Sequence, residues 1–532
     1  PGDEEQLPDP KIEAIEGAGN APAYRGTAYV VFEDLELGAF GNRVPQFSFE
    51  VVRHAPDGHD QNLAAHVRAT ALVPGTGEYS LATQPVYRRV NGTSSAVNVN
   101  SPLGISDFEA AADAMKAELP YHNATSLVVS WFGTDLRCGE CEIMPLVESH
   151  GTDGQGMPWQ VSGISRANAG LVPYMEGRPA YGGTPTDQSV KQAIQALREG
   201  GREVMFYPFI LMTQLEENGL ENPWTGAEDQ PPLPWRGRIT ASIAPGQPGS
   251  PDGTAEVEDQ GAALCGQAQV GHFPAAAGLR DYSGPAEFSY RRFILHNAWL
   301  CADAGGVDAF CIGSELRGLT QLRGASGFPV VEALRALAAD VRAILGPDTK
   351  ISFAADWSEY FGYHPKDGSG DVFFHLDPLW ADPNIDFVGI DNYMPLADWR
   401  DGVDHADAAH GSPYNDAYLQ GNVCGGEGYD WFYADEDARD DQERTPISDT
   451  AHGEDWVFRV KDLSGWWSNP HHDRPGGVRS ATPTAWVPGS KPIWFTEVGC
   501  PAVDKGANSP NLFYDPKSSE SFTPHFSRGW RD

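Results

Sequence analysis

From about residue 124 onward, short apolar runs alternate with stretches whose apolar residues recur three and four positions apart. Leu127–Trp131, Val204–Leu211, Val307–Ile312, Ile351–Ala355, Ile385–Ile390 and Ile493–Thr496 read as buried strands, and Trp159–Ile164 as a weaker one. Between them lie helical patterns. Thr184-Pro185 opens one with a capping threonine and a proline at its first position, and Val190, Ile194 and Leu197 form its buried stripe. Phe288, Leu295 and Trp299 mark a second. Val330, Leu334, Leu337, Val341 and Leu345 form a third, closed by Gly346-Pro347. Strand–helix alternation implies a parallel sheet, and seven such strands favour an α/β (β/α)8 TIM barrel over a doubly wound sheet. Two Pro- and Gly-rich stretches, 218–284 and 398–490, are too long for plain connections and read as loop insertions.

The first part of the chain has another texture. Residues 1–20 are rich in Pro, Gly and acids and look like a linker. Gly26–Glu36 and Val44–Val52 are strand-like, and in the second Phe47, Phe49 and Val51 alternate with Gln46, Ser48 and Glu50. Residues 60–105 are small and polar, with no legible fold. Asp107–Leu119 is helical, with Phe108, Ala111, Met115 and Leu119 on one face. The expected organisation is a small β-rich segment with a connecting helix over 1–120, then a barrel over 121–532. No convincing eighth strand follows Glu497, so the barrel is expected to be incomplete at its C-terminus and the natural chain to continue past Asp532. The start at Pro1, without Met, fits a piece of a longer or processed polypeptide.

Composition narrows the function. The 532 residues carry a formal charge of −37, which repels nucleic acid and excludes direct DNA binding as the main role. No apolar run reaches the length of a transmembrane span. Seven cysteines, thinly spread, imply no disulfide framework; Cys138 and Cys141 form a CxxC with only Cys424 as an isolated further ligand, and read as loop thiols. His471-His472-Asp473 and the acids Asp435, Glu436, Asp437, Asp440 and Asp441 have metal-ligand residue types without metal-ligand spacing, and no metal site is assigned. Trp466-Trp467 read as core of the second insertion.

The chemistry gathers at strand ends. The runs at 307–312 and 493–496 lead directly into Gly313-Ser314-Glu315 and Glu497-Val498-Gly499. A barrel presents its strand C-termini as its active face, and two carboxylates there suit glycosidic hydrolysis, one as proton donor and one as nucleophile. Trp131, Arg166, Tyr207, Asp356, Trp357, Asn392 and Tyr393 also fall at strand ends, and Ser314 and Trp494 complete the candidate substrate-binding set. Aromatic faces stack on the apolar C–H faces of sugars, while amides and carboxylates bond the hydroxyls.

Glu315 and Glu497 resemble the acid/base and nucleophile of the large retaining glycoside hydrolase clan of (β/α)8 barrels. Residues 391–395 look like its strand-six segment, whose tyrosine, here Tyr393, contacts the nucleophile. Where that clan usually has Asn before the acid/base, this chain has Ser314. Residues 23–34 and 41–45 look like the signature of tail-tip hub proteins of long-tailed phages. Residues 181–187, 206–212 and 390–393 are similar to the TIM-barrel domain of gene transfer agent host-specificity proteins. The resemblance implies a tail-tip or baseplate component of a virion-like particle, a homotrimer among other tail proteins, acting on envelope polysaccharide or peptidoglycan without a cofactor. The alternatives are a catalytically inactive structural or glycan-receptor barrel, and a free-standing secreted retaining glycosidase.

Overall fold

The apolar runs assemble into one sheet. A computed structural model describes residues 7–21, scattered positions between 23 and 47, and 63–511 apart from 75, 76, 91, 403 and 502–504. Its main strands are β1 (Ala69–Leu72), β2 (Ala124–Gly133), β3 (Glu203–Met212), β4 (Ala309–Ser314), β5 (Lys350–Asp356), β6 (Val388–Asn392) and β7 (Ile493–Val498). Each pairs in parallel with the next in chain order. The crossovers carry helices α1 (Asp107–Glu118), α2 (Asp187–Glu199), α3 (Ala255–Cys265), α4 (Tyr290–Asp303) and α5 (Pro329–Leu345). This is the α/β layout of a TIM barrel, with seven parallel strands among the described residues. β1 and β7 each have one parallel strand neighbour there, and Phe495 and Val498 on β7 are exposed.

The helical stripes are buried as their spacing predicts. Val190, Ile194 and Leu197 of α2 and Val330, Leu334, Leu337 and Val341 of α5 enter the core; each such side chain contributes roughly 1.5–3 kcal/mol of burial. β2, Ala-Thr-Ser-Leu-Val-Val-Ser-Trp-Phe-Gly, is buried on both faces from Thr125 to Val129, as a strand between helices and barrel interior must be.

Three expectations need correcting. The sheet begins at β1, inside the stretch assigned above to the 1–120 segment, and α1 is the crossover from β1 to β2. Ala-Thr-Ala-Leu shows no apolar run, and its side chains alternate between exposed and half-buried. Trp159–Ile164 supplies no barrel strand. It forms the hairpin Gln160–Val161 with Ile164–Ser165, turned by Ser162 and Gly163 at positive φ. One unseen strand thus replaces one misread strand, and the total of seven stands. α2 begins after Thr186, not Thr184. The Thr184 hydroxyl instead donates to Ser130 O (3.0 Å) and accepts from Leu146 N–H (3.2 Å).

Pro1–Asn62 and Leu63–Asp532 form two compact units. In the first unit a helix, Pro10–Glu16, is capped by Asp9, which accepts from Lys11 N–H at 2.9 Å and Ile12 N–H at 3.1 Å. The two strand-like runs expected at 26–36 and 44–52 lie largely outside the described residues, as do most of 498–532.

Gly313 shows how tightly β4 is built. Tyr290, at the start of α4, donates its hydroxyl to Ile312 O at 2.7 Å. A Cβ on Gly313 would lie 1.8 Å from that hydroxyl oxygen. Gly313→Ala is expected to destabilise the fold by about 1–3 kcal/mol, as overpacking does, with partial recovery in the Gly313→Ala/Tyr290→Phe double variant. Thermal denaturation of the four-member cycle measures this; an additive double variant would show that the clash is not the cause.

Candidate active site

Strand irregularities aim the two glutamates. The β4–β5 register shifts between Cys311 and Ser314, and the β6–β7 register between Ile390 and Asp391. Such bulges redirect side chains. Glu315 leaves β4 with φ +48°, a conformation most non-glycine residues avoid, and its N–H donates to Ala354 O on β5 at 2.8 Å. In consequence, carboxylate oxygens of Glu315, Asp391 and Glu497 all lie within 4.8 Å of one another. A bound of 4.8 Å between single oxygens sits on the side of the ~5–5.5 Å carboxyl separation of retaining glycosidases, away from the ~6.5–9.5 Å of inverting ones.

Two bare charges at this distance repel by about 3–4 kcal/mol at an effective dielectric near 20, so the cluster requires compensation. Asp391 is fully buried and accepts from Tyr207 Oη (2.6 Å) and Thr496 Oγ1 (2.7 Å). Burial, then the charges of Glu497 and Glu315, push its pKa well above the ordinary carboxylate value. Glu497 accepts from Tyr393 Oη at 2.6 Å, and its pKa is raised by burial and then by Glu315. Glu315 Oε2 accepts from Trp235 Nε1 at 2.6 Å and lies 3.0 Å from the Arg236 guanidinium. Behind Glu315, burial and then the negative charge of Glu315 push Asp356 up to about 6. Burial pushes Glu359 up to about 8, although it accepts from Thr320 Oγ1 and from Asp356 N–H. One cation could reach all three clustered carboxylates, yet each already holds donors, and the positive charge among them is Arg236.

Trp235 and Arg236 come from the insertion after β3, and the strand-end reading missed them. The Pro-rich run Pro231-Pro232-Leu233-Pro234 that delivers them was their only sequence signal. Arg236 is buried, lies 3.7 Å over the Phe209 ring, and donates through Nε to Ser314 O (3.0 Å) and Ser314 Oγ (3.2 Å). The loop is clamped from two sides. A Cβ on Gly318 would meet Ile239 O at 2.5 Å, so only glycine permits this approach. On the other side Cys138 N–H donates to Thr240 O at 2.7 Å, and Gln230 Nε2 to Asp135 Oδ1 at 2.7 Å. The CxxC stretch thus has a structural place. Both its thiols are buried, which raises Cys138 to about 12 and Cys141 to about 11.

The structure divides the remaining candidates. Asp356, Trp357 and Tyr393 line a cavity of about 1330 Å3 with Glu315 and Glu497, and Trp235 and Arg236 join them at its mouth. Tyr207 sits with Val128, Cys311 and Ala354 in the barrel interior and reaches the site through Asp391. Ser314 holds Arg236. Asn392 accepts from Met394 N–H at 3.1 Å, shaping the turn into Tyr393. Of the other three, Trp494 also lines this cavity, while Trp131 and Arg166 do not converge there. Trp131 is fully buried against Phe293 and His296 of α4. Arg166 follows the hairpin, not a barrel strand, and is locked to Glu78 (2.6 Å) and Asp153 (2.5 Å). Trp494 stacks on Phe387 at 4.2 Å in the half of β7 away from Glu497.

His471 is a packing residue. Its ring nitrogens face Asp377 (2.9 Å) and Trp466 O (2.7 Å), and Phe374 stacks on it at 4.3 Å. Asp435 caps the short helix Glu436–Asp440. Trp466 is core, while Trp467 is partly exposed.

Comparison with known proteins places this geometry in context. Residues 288–532 match the GTA TIM-barrel-like domain family. No curated protein matches the chain at a significant level. Among solved structures, a GH113 β-1,4-mannanase aligns at 12% identity and TM-score 0.27, over 55% of this chain and 58% of its own. The GH113 β-mannanase AaManA from Alicyclobacillus acidocaldarius, in complex with ManMIm, aligns at 14% and 0.28, over 63% and 64%. This chain thus spans less than two thirds of either mannanase, and at such TM-scores no property is carried over from them.

The raised acids make stability pH-dependent. Glu359 moves from 4.5 to about 8 on folding, so between those values the folded state holds a proton that the unfolded state has lost. Stability therefore falls as pH rises through that window, by an amount on the order of a few kcal/mol. Thermal unfolding midpoints at about pH 5 and pH 9 are expected to drop with pH in the wild type and to drop less in Glu359→Gln. An equal slope in both would remove Glu359 as the source.

Proposed function

We propose that the barrel accepts a glycan at its C-terminal mouth and hydrolyses a glycosidic bond with retention, as part of a tail-tip component of a gene-transfer-agent or phage-like particle. The observation that carries the catalytic part is the convergence of Glu315, Asp391 and Glu497 within 4.8 Å, at the ends of β4, β6 and β7. One of the two glutamates donates a proton to the leaving oxygen while the other attacks the anomeric carbon. Water then releases the glycosyl-enzyme, activated by the first residue in its base form. Trp235, Trp357 and Tyr393 supply aromatic surface around the pair.

The particle assignment is supported by the match of residues 288–532 to the GTA TIM-barrel-like domain and by the tail-protein segments quoted above. On this reading the partners are baseplate proteins, the assembly is a homotrimer, and the substrate is envelope polysaccharide or peptidoglycan met at the recipient surface. A second reading, a glycan receptor without turnover, is favoured by one contact: the Arg236–Glu315 ion pair occupies a catalytic carboxylate.

Purified envelope polysaccharide and peptidoglycan, incubated with the protein, are expected to release reducing sugars or muropeptides. Glu315→Gln and Glu497→Gln should each lower the rate by about 10²–10⁴-fold, and proton NMR of the first product should show the retained anomer. Binding that survives both substitutions, with no release by the wild type, would leave the receptor reading.

A further inference from the structure

Asp391 stands near the end of β6 with no exposed surface, and one of its carboxyl oxygens lies within 4.8 Å of an oxygen of Glu315 and of Glu497. Both of its side-chain hydrogen bonds are to hydroxyls: Oδ1 to Thr496 Oγ1 at 2.7 Å and Oδ2 to Tyr207 Oη at 2.6 Å. The guanidinium of the site pairs with Glu315 instead, at 3.0 Å. A buried carboxyl that faces two others and has no cation of its own is the member of the cluster that most needs to be neutral.

The hydrogens around it can be counted. Tyr207 carries one phenolic hydrogen and touches two carboxyls. Its Oη lies against Asp391 Oδ2, and it also hydrogen-bonds Glu497, where it opposes the rise that burial and Glu315 impose. One hydrogen cannot serve both contacts. With Asp391 ionised, Tyr207 donates to it and Glu497 keeps the Tyr393 hydroxyl, at 2.6 Å, without that of Tyr207. With Asp391 protonated on Oδ2, the carboxylic O–H donates to Tyr207 Oη. The phenolic O–H then turns to Glu497, and Oδ1 still accepts from Thr496. All these contacts are then met with one charge fewer in the cluster.

We propose that Asp391 is a positioning residue held as a neutral carboxylic acid, which donates to Tyr207 and so turns the tyrosine hydroxyl onto Glu497. Two phenols, Tyr207 from β3 and Tyr393 just after β6, then hold Glu497 as the anion. The catalytic meaning rests on the retaining reading, with Glu315 as proton donor and Glu497 as the attacking carboxylate; the order of hydrogen bonds does not. The other groups facing Asp391 leave this order in place. Burial pushes the Cys311 thiol and the phenols of Tyr207 and Tyr393 upward, so all three are uncharged near neutral pH. Glu315 and Glu497 both disfavour a further negative charge. Arg236 is drawn to Glu315 and Glu497 ahead of Asp391.

Two spectroscopic measurements on the full chain test this without any glycan. In the infrared difference between wild type and Asp391→Asn near neutral pH, the carbonyl band of a protonated carboxyl is expected in the wild type and missing from the variant. Carbon NMR with 13Cδ-labelled glutamate, assigned by Glu497→Gln, follows the Glu497 titration. Asp391→Asn offers an amide N–H to Tyr207 and a carbonyl to Thr496, so it should leave that titration close to the wild type. Tyr207→Phe removes a donor from Glu497 and should raise its titration by about one pH unit. An ionised Asp391 gives opposite signs: a carboxylate band lost in Asp391→Asn, and a Glu497 titration lowered there by about one pH unit or more, because a like charge has gone. Either result overturns the proposal, as does a Glu497 titration that falls or stays put in Tyr207→Phe. Near-UV circular dichroism checks folding, and Tyr207→Phe decides alone should Asp391→Asn not fold. Neither measurement needs a substrate, so failure here leaves the hydrolytic reading standing, and a lack of hydrolysis leaves this assignment standing.

Discussion

Three carboxylates within 4.8 Å in a buried barrel mouth need compensation, and the Arg236 guanidinium beside Glu315 supplies the positive charge for it. Much of the local architecture serves to seat this guanidinium. Phe209 supplies the ring beneath the guanidinium, Ser314 the carbonyl and hydroxyl that fix Nε, and Gly318 the missing Cβ that lets the loop close. A buried ion pair is weak evidence of stability in itself, since desolvation offsets much of its attraction. Its value here is arrangement. It holds Glu315 in a strained backbone conformation at a set distance from Asp391 and Glu497.

The barrel contributes precision where the loops contribute charge. Parallel strands with both faces buried cannot slide, because a one-residue slip would turn every interior side chain toward the helices. Local departures from that register, in β4 and at the β6–β7 pairing, fall at the residues that lead into the carboxylates. Tyr207 extends this control inward. Packed in the barrel interior, it ties the middle of β3 to the end of β6 through Asp391, so the acid cluster is braced by the core beneath it.

Legibility in the sequence followed burial. Six of the seven parallel strands announced themselves as apolar runs, because a strand covered on both sides has no polar face to disguise it. β1 was invisible for the converse reason: four residues, Ala-Thr-Ala-Leu, none fully buried. Glu315, Glu497 and Tyr393 were legible because strand-end position implies the barrel mouth. Trp131 was not, because position along a strand does not say which face a side chain takes, and it turned toward α4. Arg166 failed with the hairpin misread as a strand. Trp235 and Arg236 were beyond reach, since nothing within a Pro-rich insertion states where its tip will land.

That last failure has a physical meaning for the site. Strand ends concentrate acids at a barrel mouth, but here the strands alone bring no counter-charge to them. The guanidinium that answers them, Arg236 at 3.0 Å from Glu315, arrives on a loop from outside the strand framework. A Ser in place of Asn at 314 is then no isolated deviation. The short side chain and the guanidinium it holds form one unit.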